Sequence, residues 1–200
     1  MKYLILAFTF LFSLNSFADY KVYATQNQKI NIPEKSGPWE APSGEPALHP
    51  NGVTVTCLDM PDGSVFSLKG KDYRVVYKKE DAATYAESAC TSNITDLSQT
   101  FKDNTNFNKN ISHWDTSRVT TMHSMFYNAN VFNQDISDWD VGLVTNFNGM
   151  FSHFDETTEG LFNQDLSSWC VEDIDNTPSY FSHRANNWVL PKPNWGSCPQ

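Results

Sequence analysis

A nine-residue motif recurs thirty positions apart, as FNQDISDWD over residues 132–140 and as FNQDLSSWC over residues 162–170. Tryptophans repeat with it at spacings of 25, 30 and 26 residues: Trp114, Trp139, Trp169 and Trp195. A unit of about 25 residues is too short to bury an apolar face alone, so such units become stable by stacking on one another. The period therefore predicts a repeat protein.

Three further apolar columns follow the same period. Phenylalanines repeat at spacings of 25, 25 and 30 residues: Phe101, Phe126, Phe151 and Phe181. A second aromatic column contains Phe107, Phe132, Phe162 and, in weaker agreement, Trp188, and a β-branched column contains Ile94, Val119, Val144 and Ile174. The step of 30 is thus a 25-residue unit with five extra residues, which the columns locate between Phe151 and Phe162.

We expect this insertion to be a loop on an otherwise regular stack. Insertions on one face of a repeat protein are common places for recognition of a partner. The candidate binding residues are therefore Asp155, Glu156, Thr157, Thr158, Glu159 and Gly160.

Within one unit, two short elements are predicted. Val119, Met122, Met125 and Phe126 follow the i, i+3, i+6, i+7 spacing of a short helix. The segment 133–137 carries one apolar residue between polar flanks and favours a brief strand. The predicted fold class is an α/β repeat solenoid with four coils, each made of a short strand and a short helical turn. Its predicted core is Phe101, Trp114, Val119, Met122, Met125, Phe126, Phe132, Ile136, Trp139, Val144, Met150, Phe151, Phe162, Leu166, Trp169, Ile174, Phe181 and Trp195.

The units TSRVTTMHSMFYNANVFNQDISDWD and VGLVTNFNGMF…FNQDLSSWC resemble the repeats of the BspA-like leucine-rich-repeat surface proteins of bacteria. The resemblance covers residues 91–195. It rests on VTxM, MF, FNQD and WD at fixed spacing, and it weakens in the fourth unit. It implies an exported or surface-displayed solenoid with an interaction role and no common catalytic mechanism.

The amino-terminal third predicts export. Residues 1–18 have a basic start, an apolar run and small residues at Ser16 and Ala18, which is the pattern of a cleaved signal peptide. No later segment is apolar for long enough to span a membrane. The formal net charge of −9 argues against a nucleic-acid partner, because such binding depends on phosphate neutralisation by Lys and Arg.

The composition of the sequence predicts the boundaries of the remaining segments. Residues 19–50 contain five prolines and are predicted to be an extended arm or linker. Residues 51–90 are predicted to form a small capping module, with strands on both sides of Gly70 and a helix over 81–90. Residues 91–200 are predicted to form the repeat region with its carboxy-terminal cap. A cap is needed because the end of a stack exposes unpaired edge and apolar surface.

Four cysteines in an exported chain predict two disulfides, for which three pairings exist: Cys57, Cys90, Cys170 and Cys198. The repeat favours the local pairing of Cys57 with Cys90 and of Cys170 with Cys198. The first bond would fasten the cap to the first coil. The second would close the last unit, where Cys170 replaces the Asp140 of the preceding repeat.

Three polar or aromatic columns allow a functional interpretation beside a structural one. Asp135 and Asp165 could bind calcium, whereas the adjacent Asn108, Asn133 and Asn163 favour a hydrogen-bonded ladder. The tryptophans could stack on sugars, but their phase favours the core. His153 and His183 fall in one column and could bind a transition metal, but a third ligand is missing.

The leading functional hypothesis is a secreted or surface-associated module that binds a protein or a glycan at a cell surface and is not an enzyme. No nucleophile, phosphate-binding or dinucleotide-binding motif is present, and no cofactor is expected. The alternative is a calcium-stabilised structural or matrix component. A third hypothesis, an exported glycan hydrolase, would require two close carboxylates in a cleft.

Overall fold

The computed structural model describes residues 40–154 and 159–199. The regular elements in this part are β1 (Ala47–Leu48), β2 (Val55–Thr56), β3 (Val65–Leu68), β4 (Lys71–Val75), α1 (Lys79–Thr84) and β5 (Ala89–Cys90). The signal peptide predicted over residues 1–18 and residues 19–39 of the predicted arm lie outside the described residues.

The amino-terminal module combines an antiparallel pair, β1 with β2, and a three-stranded sheet in the order β3-β4-β5. β3 and β4 form a hairpin because Lys69 and Gly70 both have positive φ, 49° and 79°, which is the geometry of a tight two-residue turn. The packed module begins before residue 51, the predicted boundary, since Ala47 in β1 already pairs with Thr56 in β2.

The helix predicted over residues 81–90 is wrong in its second half. α1 ends at Thr84, and the chain turns at Ser88, whose N–H donates to the carbonyl of Tyr85 at 2.7 Å. β5 then pairs in parallel with β4, and Val75 lies opposite Cys90. Pairing with the sheet therefore replaces helical hydrogen bonding here and delivers Cys90 to the first repeat unit.

The repeat units contain neither the predicted helix nor the predicted strand among the described residues, where α1 is the single helix and precedes the repeats. The segment that holds Met122 and Phe126 is instead a run of turns closed by i to i+3 hydrogen bonds, such as the one from the N–H of Met125 to the carbonyl of Met122 at 3.1 Å. The helix prediction is wrong because alternate N–H groups donate to the next unit and not along their own segment.

This donation builds a ladder between units. The N–H groups of Leu97, Gln99, Phe101 and Asp103 donate to the carbonyls of Thr121, His123, Met125 and Tyr127 at 3.0, 2.9, 2.9 and 2.8 Å. The same pattern recurs one unit later, from Met122 to Asn146 and from Phe126 to Met150, both at 2.9 Å. Parallel bridges join Asp96, Thr121 and Asn146, so the strand-like contact lies here and not at residues 133–137.

The ladder requires left-handed backbone at repeated positions. Gln99 and Ser124 have φ of 59° and 51°, and Gly149 occupies the third equivalent position at 65°. Asp103 and Asn128 repeat the pattern four residues further on, at 59° and 55°. Asp, Asn and Gly tolerate this conformation better than other residues, so the sequence supports the turns locally.

The core is a set of side-chain files running through the stack. Phe126 lies between Phe101 and Phe151, with ring centroids 5.6 and 5.5 Å away, and Phe132 lies between Phe107 and Phe162 at 5.7 Å from each. Of the predicted core residues, Ile174 and Trp195 are half-buried and pack against the core, and the others are buried. The N–H of Phe151 reaches the carbonyl of Phe181 at 2.8 Å, so the stack continues across the insertion.

The described residues include no helix that is long and apolar enough to cross a membrane.

Candidate functional site

Residues 155–158 of the insertion that interrupts the repeat lie outside the described residues. The structure describes its carboxy-terminal end, residues 159–160, which we call the foot of the loop. Of the predicted binding residues, Glu159 and Gly160 are therefore placed, and Asp155, Glu156, Thr157 and Thr158 are not. Gly160 lies against His153, since a Cβ added at Gly160 would overlap the imidazole ring. The carbonyl of Gly160 accepts a hydrogen bond from the Asn187 amide at 3.0 Å, which fixes this foot of the loop on the last unit.

A groove of about 410 Å³ lies beside the insertion and crosses the second, third and fourth units. Its aromatic and imidazole lining comprises His123, Tyr127, His153, Phe154, Tyr180 and His183. Its other lining residues are Ser124, Asn148, Gly149, Ser152, Ser179 and Arg184. None of the described residues lining it is acidic, although the chain carries 23 Asp and Glu residues in total.

Two large rings border this groove and remain open to solvent. Phe154 is 74% exposed and Tyr180 is 70% exposed. The backbone of Phe154 is held on both sides, because its N–H donates to the side-chain oxygen of Asn128 at 2.8 Å and its carbonyl accepts from the Arg184 guanidinium. The Tyr180 ring meets the His183 ring edge-on at a centroid distance of 5.4 Å.

Tyr180 is exposed because the last unit departs from the ladder by one residue. In the preceding pair of units, Phe126 donates to the carbonyl of Met150, the residue before the aligned Phe151. In the last pair, Phe151 donates to the carbonyl of Phe181 itself. Tyr180 therefore takes the sequence position of the buried Met150 but has a left-handed φ of 56° and an exposed ring.

The three imidazoles differ in environment. His153 is buried, its Nδ1 lies 3.3 Å from the side-chain oxygen of Asn130, and burial lowers the pKa of its imidazole. His183 is exposed, although the N–H of His153 donates to its carbonyl at 2.9 Å, so the two occupy neighbouring units in register. His123 is half-buried, and its buried Nδ1 has no hydrogen-bond partner in the part of the chain that the structure describes.

A metal centre at the histidines has no supporting geometry in the described residues. The group of three metal-ligand side chains that approach one another in this part of the chain is Cys170, Glu172 and Cys198. Its two cysteines are joined in a disulfide, so their thiolates are not ligands.

The asparagine column is a hydrogen-bonded ladder. The N–H of Asn133 donates to the side-chain oxygen of Asn108 at 2.9 Å, and the N–H of Asn163 donates to that of Asn133 at 2.9 Å. The Gln164 amide donates to the same Asn133 oxygen at 2.7 Å. Each asparagine thus joins its own unit to the next, and the last one accepts from the N–H groups of Val189 and Leu190.

The aspartate column closes turns. The side-chain oxygen of Asp135 accepts the N–H of Ser137 at 3.0 Å, and that of Asp165 accepts the N–H and the hydroxyl of Ser167 at 2.9 and 2.7 Å. The hydrogen bonds from Ser167 lower the pKa of Asp165. Asn110 does the same for Ser112 in the first unit, so a neutral side chain can fill this position.

The tryptophan file belongs to the core. Trp114, Trp139 and Trp169 are at most 3% exposed. Each indole N–H donates to a carbonyl of the preceding segment: Trp114 to Ala86 at 2.8 Å, Trp139 to Ile111 at 3.2 Å and Trp169 to Ile136 at 3.1 Å. A ring with a buried face and a satisfied N–H cannot serve as an open platform for a sugar.

Both disulfides are local. Cys57 is bonded to Cys90, and Cys170 is bonded to Cys198. At the first bond, the N–H of Cys57 also donates to the hydroxyl of Ser92 at 3.0 Å, and that hydroxyl donates to the buried carboxylate of Asp115. Because Cys90 belongs to β5, this disulfide lies within the amino-terminal module, and the polar chain through Ser92 and Asp115 joins that module to the first units.

The fold and the groove define a repeat protein with in-register units, a disulfide-linked amino-terminal cap and an aromatic surface groove. The chain belongs to the family described as "Mycoplasma protein of unknown function, DUF285", whose model matches residues 73–192. No curated protein matches the chain, and no solved structure matches it.

Proposed function

We propose that this protein is a secreted or surface-associated, non-enzymatic binding module, built as a leucine-rich-repeat solenoid of the BspA-like type. It recognises a protein or a glycan at a cell surface through the side of the stack that carries the groove and the insertion. The two disulfides support a location outside the reducing cytoplasm.

The observation that carries the proposal is the concentration of irregular features on one side of a regular stack. The insertion between Phe151 and Phe162, the one-residue shift at Tyr180 and the exposed rings of Phe154 and Tyr180 all border the same groove. The rings of Phe154 and Tyr180 leave apolar surface uncovered, and Tyr180 aligns with the buried Met150. Exposed apolar surface rimmed by polar groups is typical of interaction sites.

The described lining of the groove does not assemble a complete serine triad. Ser124 and His123 approach each other, with Oγ and Nε2 3.4 Å apart, which is the beginning of a nucleophile and base pair. A serine triad also needs a carboxylate on the other imidazole nitrogen, and no described residue bonds the Nδ1 of His123. The left-handed backbone of Ser124 is explained by the ladder, because Gln99 and Gly149 share it.

The calcium alternative draws less support from the structure. One carboxylate oxygen of Asp135 and one of Asp165 already accept hydrogen bonds from Ser137 and Ser167. The equivalent Asn110 performs the same task without charge.

Capture from cell-surface extracts tests the proposal. The mature protein is immobilised beside a variant that lacks residues 155–160, the variant Tyr180→Ala in the groove, and the control Val189→Ala, an exposed apolar residue of the last unit that does not line the groove. We expect a retained partner that the deletion or Tyr180→Ala loses and that Val189→Ala keeps. Equal capture by all variants would contradict the assignment of this side.

A further inference from the structure

The two disulfides differ in their access to solvent. Cys57 and Cys90 are both 0% exposed, whereas Cys170 and Cys198 are each half-buried. Thiol–disulfide exchange requires a thiolate to reach one of the bonded sulfurs, so access decides which bond can react while the protein is folded. Exposed disulfides are typically the labile ones. The Cys170–Cys198 bond is therefore the one that a thiol can attack without prior unfolding.

This bond fastens residues 189–199, which we call the carboxy-terminal segment, to the repeat stack. Backbone hydrogen bonds join the two as well. The N–H of Leu166 donates to the carbonyl of Pro191 at 3.0 Å, and the N–H of Val171 donates to that of Ser197 at 2.9 Å. Hydrogen bonds near a chain end fray readily unless the end is tied down, and here the disulfide ties it.

The carboxy-terminal segment covers part of the aromatic core. The ring of Trp195 meets the rings of Phe181 and Phe147 edge-on, at centroid distances of 4.9 and 5.8 Å. Phe147 and Phe181 are at most 1% exposed. Release of the segment would withdraw Trp195 and uncover apolar surface of this kind, which is typical of contact sites. The accessible disulfide thus closes over a buried part of the stack.

A carboxylate lies beside the accessible bond. One carboxylate oxygen of Glu172 and the Sγ atoms of Cys170 and Cys198 all lie within 4.8 Å of one another. This negative charge repels an approaching thiolate, and it repels most strongly a thiolate that carries further negative groups. Glu172 is exposed, so solvent weakens the repulsion without removing it. The site therefore favours a reductant without acidic groups.

We propose that Cys170–Cys198 is a thiol–disulfide exchange site, at which a dithiol without acidic groups releases the carboxy-terminal segment while Cys57–Cys90 stays closed. One thiolate of the dithiol attacks a sulfur of the bond, which forms a mixed disulfide and displaces the other cysteine as a thiolate. The second thiolate of the dithiol then attacks its own sulfur in the mixed disulfide and displaces the first cysteine. Two electrons pass to the protein, the dithiol becomes a disulfide, and its two protons end on the two cysteines.

This reactivity is independent of the proposed binding function, because Cys170, Glu172 and Cys198 are not among the described residues that line the groove. Failure of the exchange leaves the capture experiment unaffected, and loss of capture in Tyr180→Ala leaves the exchange unaffected.

Selective reduction is the first test. The oxidised mature protein is treated with dithiothreitol under native conditions for increasing times, free thiols are blocked with iodoacetamide, and the labelled peptides are quantified by mass spectrometry. We expect Cys170 and Cys198 to be labelled roughly tenfold faster than Cys57 and Cys90, or more. Equal rates, or faster labelling of Cys57 and Cys90, would overturn the proposal, because access in the folded protein would then not govern the reaction.

Release of the segment is the second test, measured by amide hydrogen exchange in the selectively reduced protein and in the double variant Cys170→Ser/Cys198→Ser. The N–H groups of Leu166 and Val171 should exchange roughly tenfold faster than in the oxidised protein, while that of Val76 in the amino-terminal module keeps its rate. If the double variant does not fold, the reduced protein supplies the same measurement. Unchanged exchange at Leu166 and Val171 would mean that the segment stays attached and that the bond is no switch.

The charge of the reductant is the third test. Cysteamine, which is basic, and glutathione, which is acidic, are compared at equal thiolate concentration. Cysteamine should react faster at Cys170–Cys198, and Glu172→Gln should reduce its advantage roughly two- to fourfold. Glu87→Gln, at an exposed glutamate of the amino-terminal module, is the control and should leave the ratio unchanged. An equal ratio in the parent protein and in Glu172→Gln would refute the assigned class of reductant.

Discussion

The asparagine ladder predicts that the side-chain oxygen of Asn133 stabilises the protein as a hydrogen-bond acceptor, and not merely as a polar group at the surface. The Asn133 oxygen accepts two hydrogen bonds from the next unit, from the N–H of Asn163 at 2.9 Å and from the Gln164 amide at 2.7 Å. Asn133→Ala removes both. A hydrogen bond of this kind contributes about 0.5 to 1.5 kcal/mol, and water can reach this exposed position, so we expect a loss of about 1.5 kcal/mol in the free energy of unfolding.

Asn133→Asp keeps an acceptor oxygen at the same place. Because the two bonds need only the oxygen, this variant should lie within about 0.5 kcal/mol of the parent protein near neutral pH. Asn106→Ala, at an exposed asparagine outside the column, is the control for loss of a surface amide. The measurement is urea unfolding of the oxidised protein followed by tryptophan fluorescence.

Two results would refute the reasoning. A loss in Asn133→Asp equal to that in Asn133→Ala would show that the acceptor is not what matters. A loss in Asn106→Ala equal to that in Asn133→Ala would show that the column has no special role.

Three further predictions concern the cap and the metal question. Burial lowers the pKa of His113 to about 4; nearby Lys71 lowers it further, and the hydrogen bond to the Ala89 carbonyl opposes the shift. The folded protein therefore binds this proton at a lower pH than the unfolded chain does. Stability present above pH 6.5 should therefore fall as the pH drops towards 4, by about 3 kcal/mol for this group, and His113→Gln should remove that part of the pH dependence measured by urea unfolding. Replacing Cys57 and Cys90 by serine opens a loop of 33 residues, and we expect thermal unfolding to show a loss of about 3 to 4 kcal/mol, whereas an unchanged midpoint would deny the cap its role. Thermal midpoints with calcium and with chelator should coincide, because Asp135 closes a turn; a rise with calcium would favour the metal-stabilised alternative.

The apolar periodicity predicted which residues are inside but not how the backbone arranges them. Met122, Met125 and Phe126 recur at three- and four-residue spacing, which a helix and a run of three-residue turns satisfy equally well. The two structures differ in which carbonyl accepts each backbone N–H, and the acceptor here belongs to the neighbouring unit. The signal that could have revealed the turns is Asp103, Asn128 and Gly149, three residue types that tolerate left-handed backbone, near these apolar positions.

The groove was harder to predict, although its walls come largely from equivalent positions of three units, such as Ser124, Gly149 and Ser179. The sequence placed His153 and His183 in one column, and they are neighbours in the structure. It could not show that Gly160 returns over the His153 ring, since this depends on the path of the insertion. Tyr180 aligns with the core residue Met150, and its exposure follows from a backbone shift that no periodicity displays.

The central claim is the in-register ladder between units, and scalar couplings across hydrogen bonds measure it directly. In a labelled, oxidised sample, the amide nitrogens of Leu97, Met122 and Phe126 should couple to the carbonyl carbons of Thr121, Asn146 and Met150. The same amides should exchange slowly with solvent. Couplings that instead join residues four apart within one unit would mean that the units are helical and that the ladder does not exist.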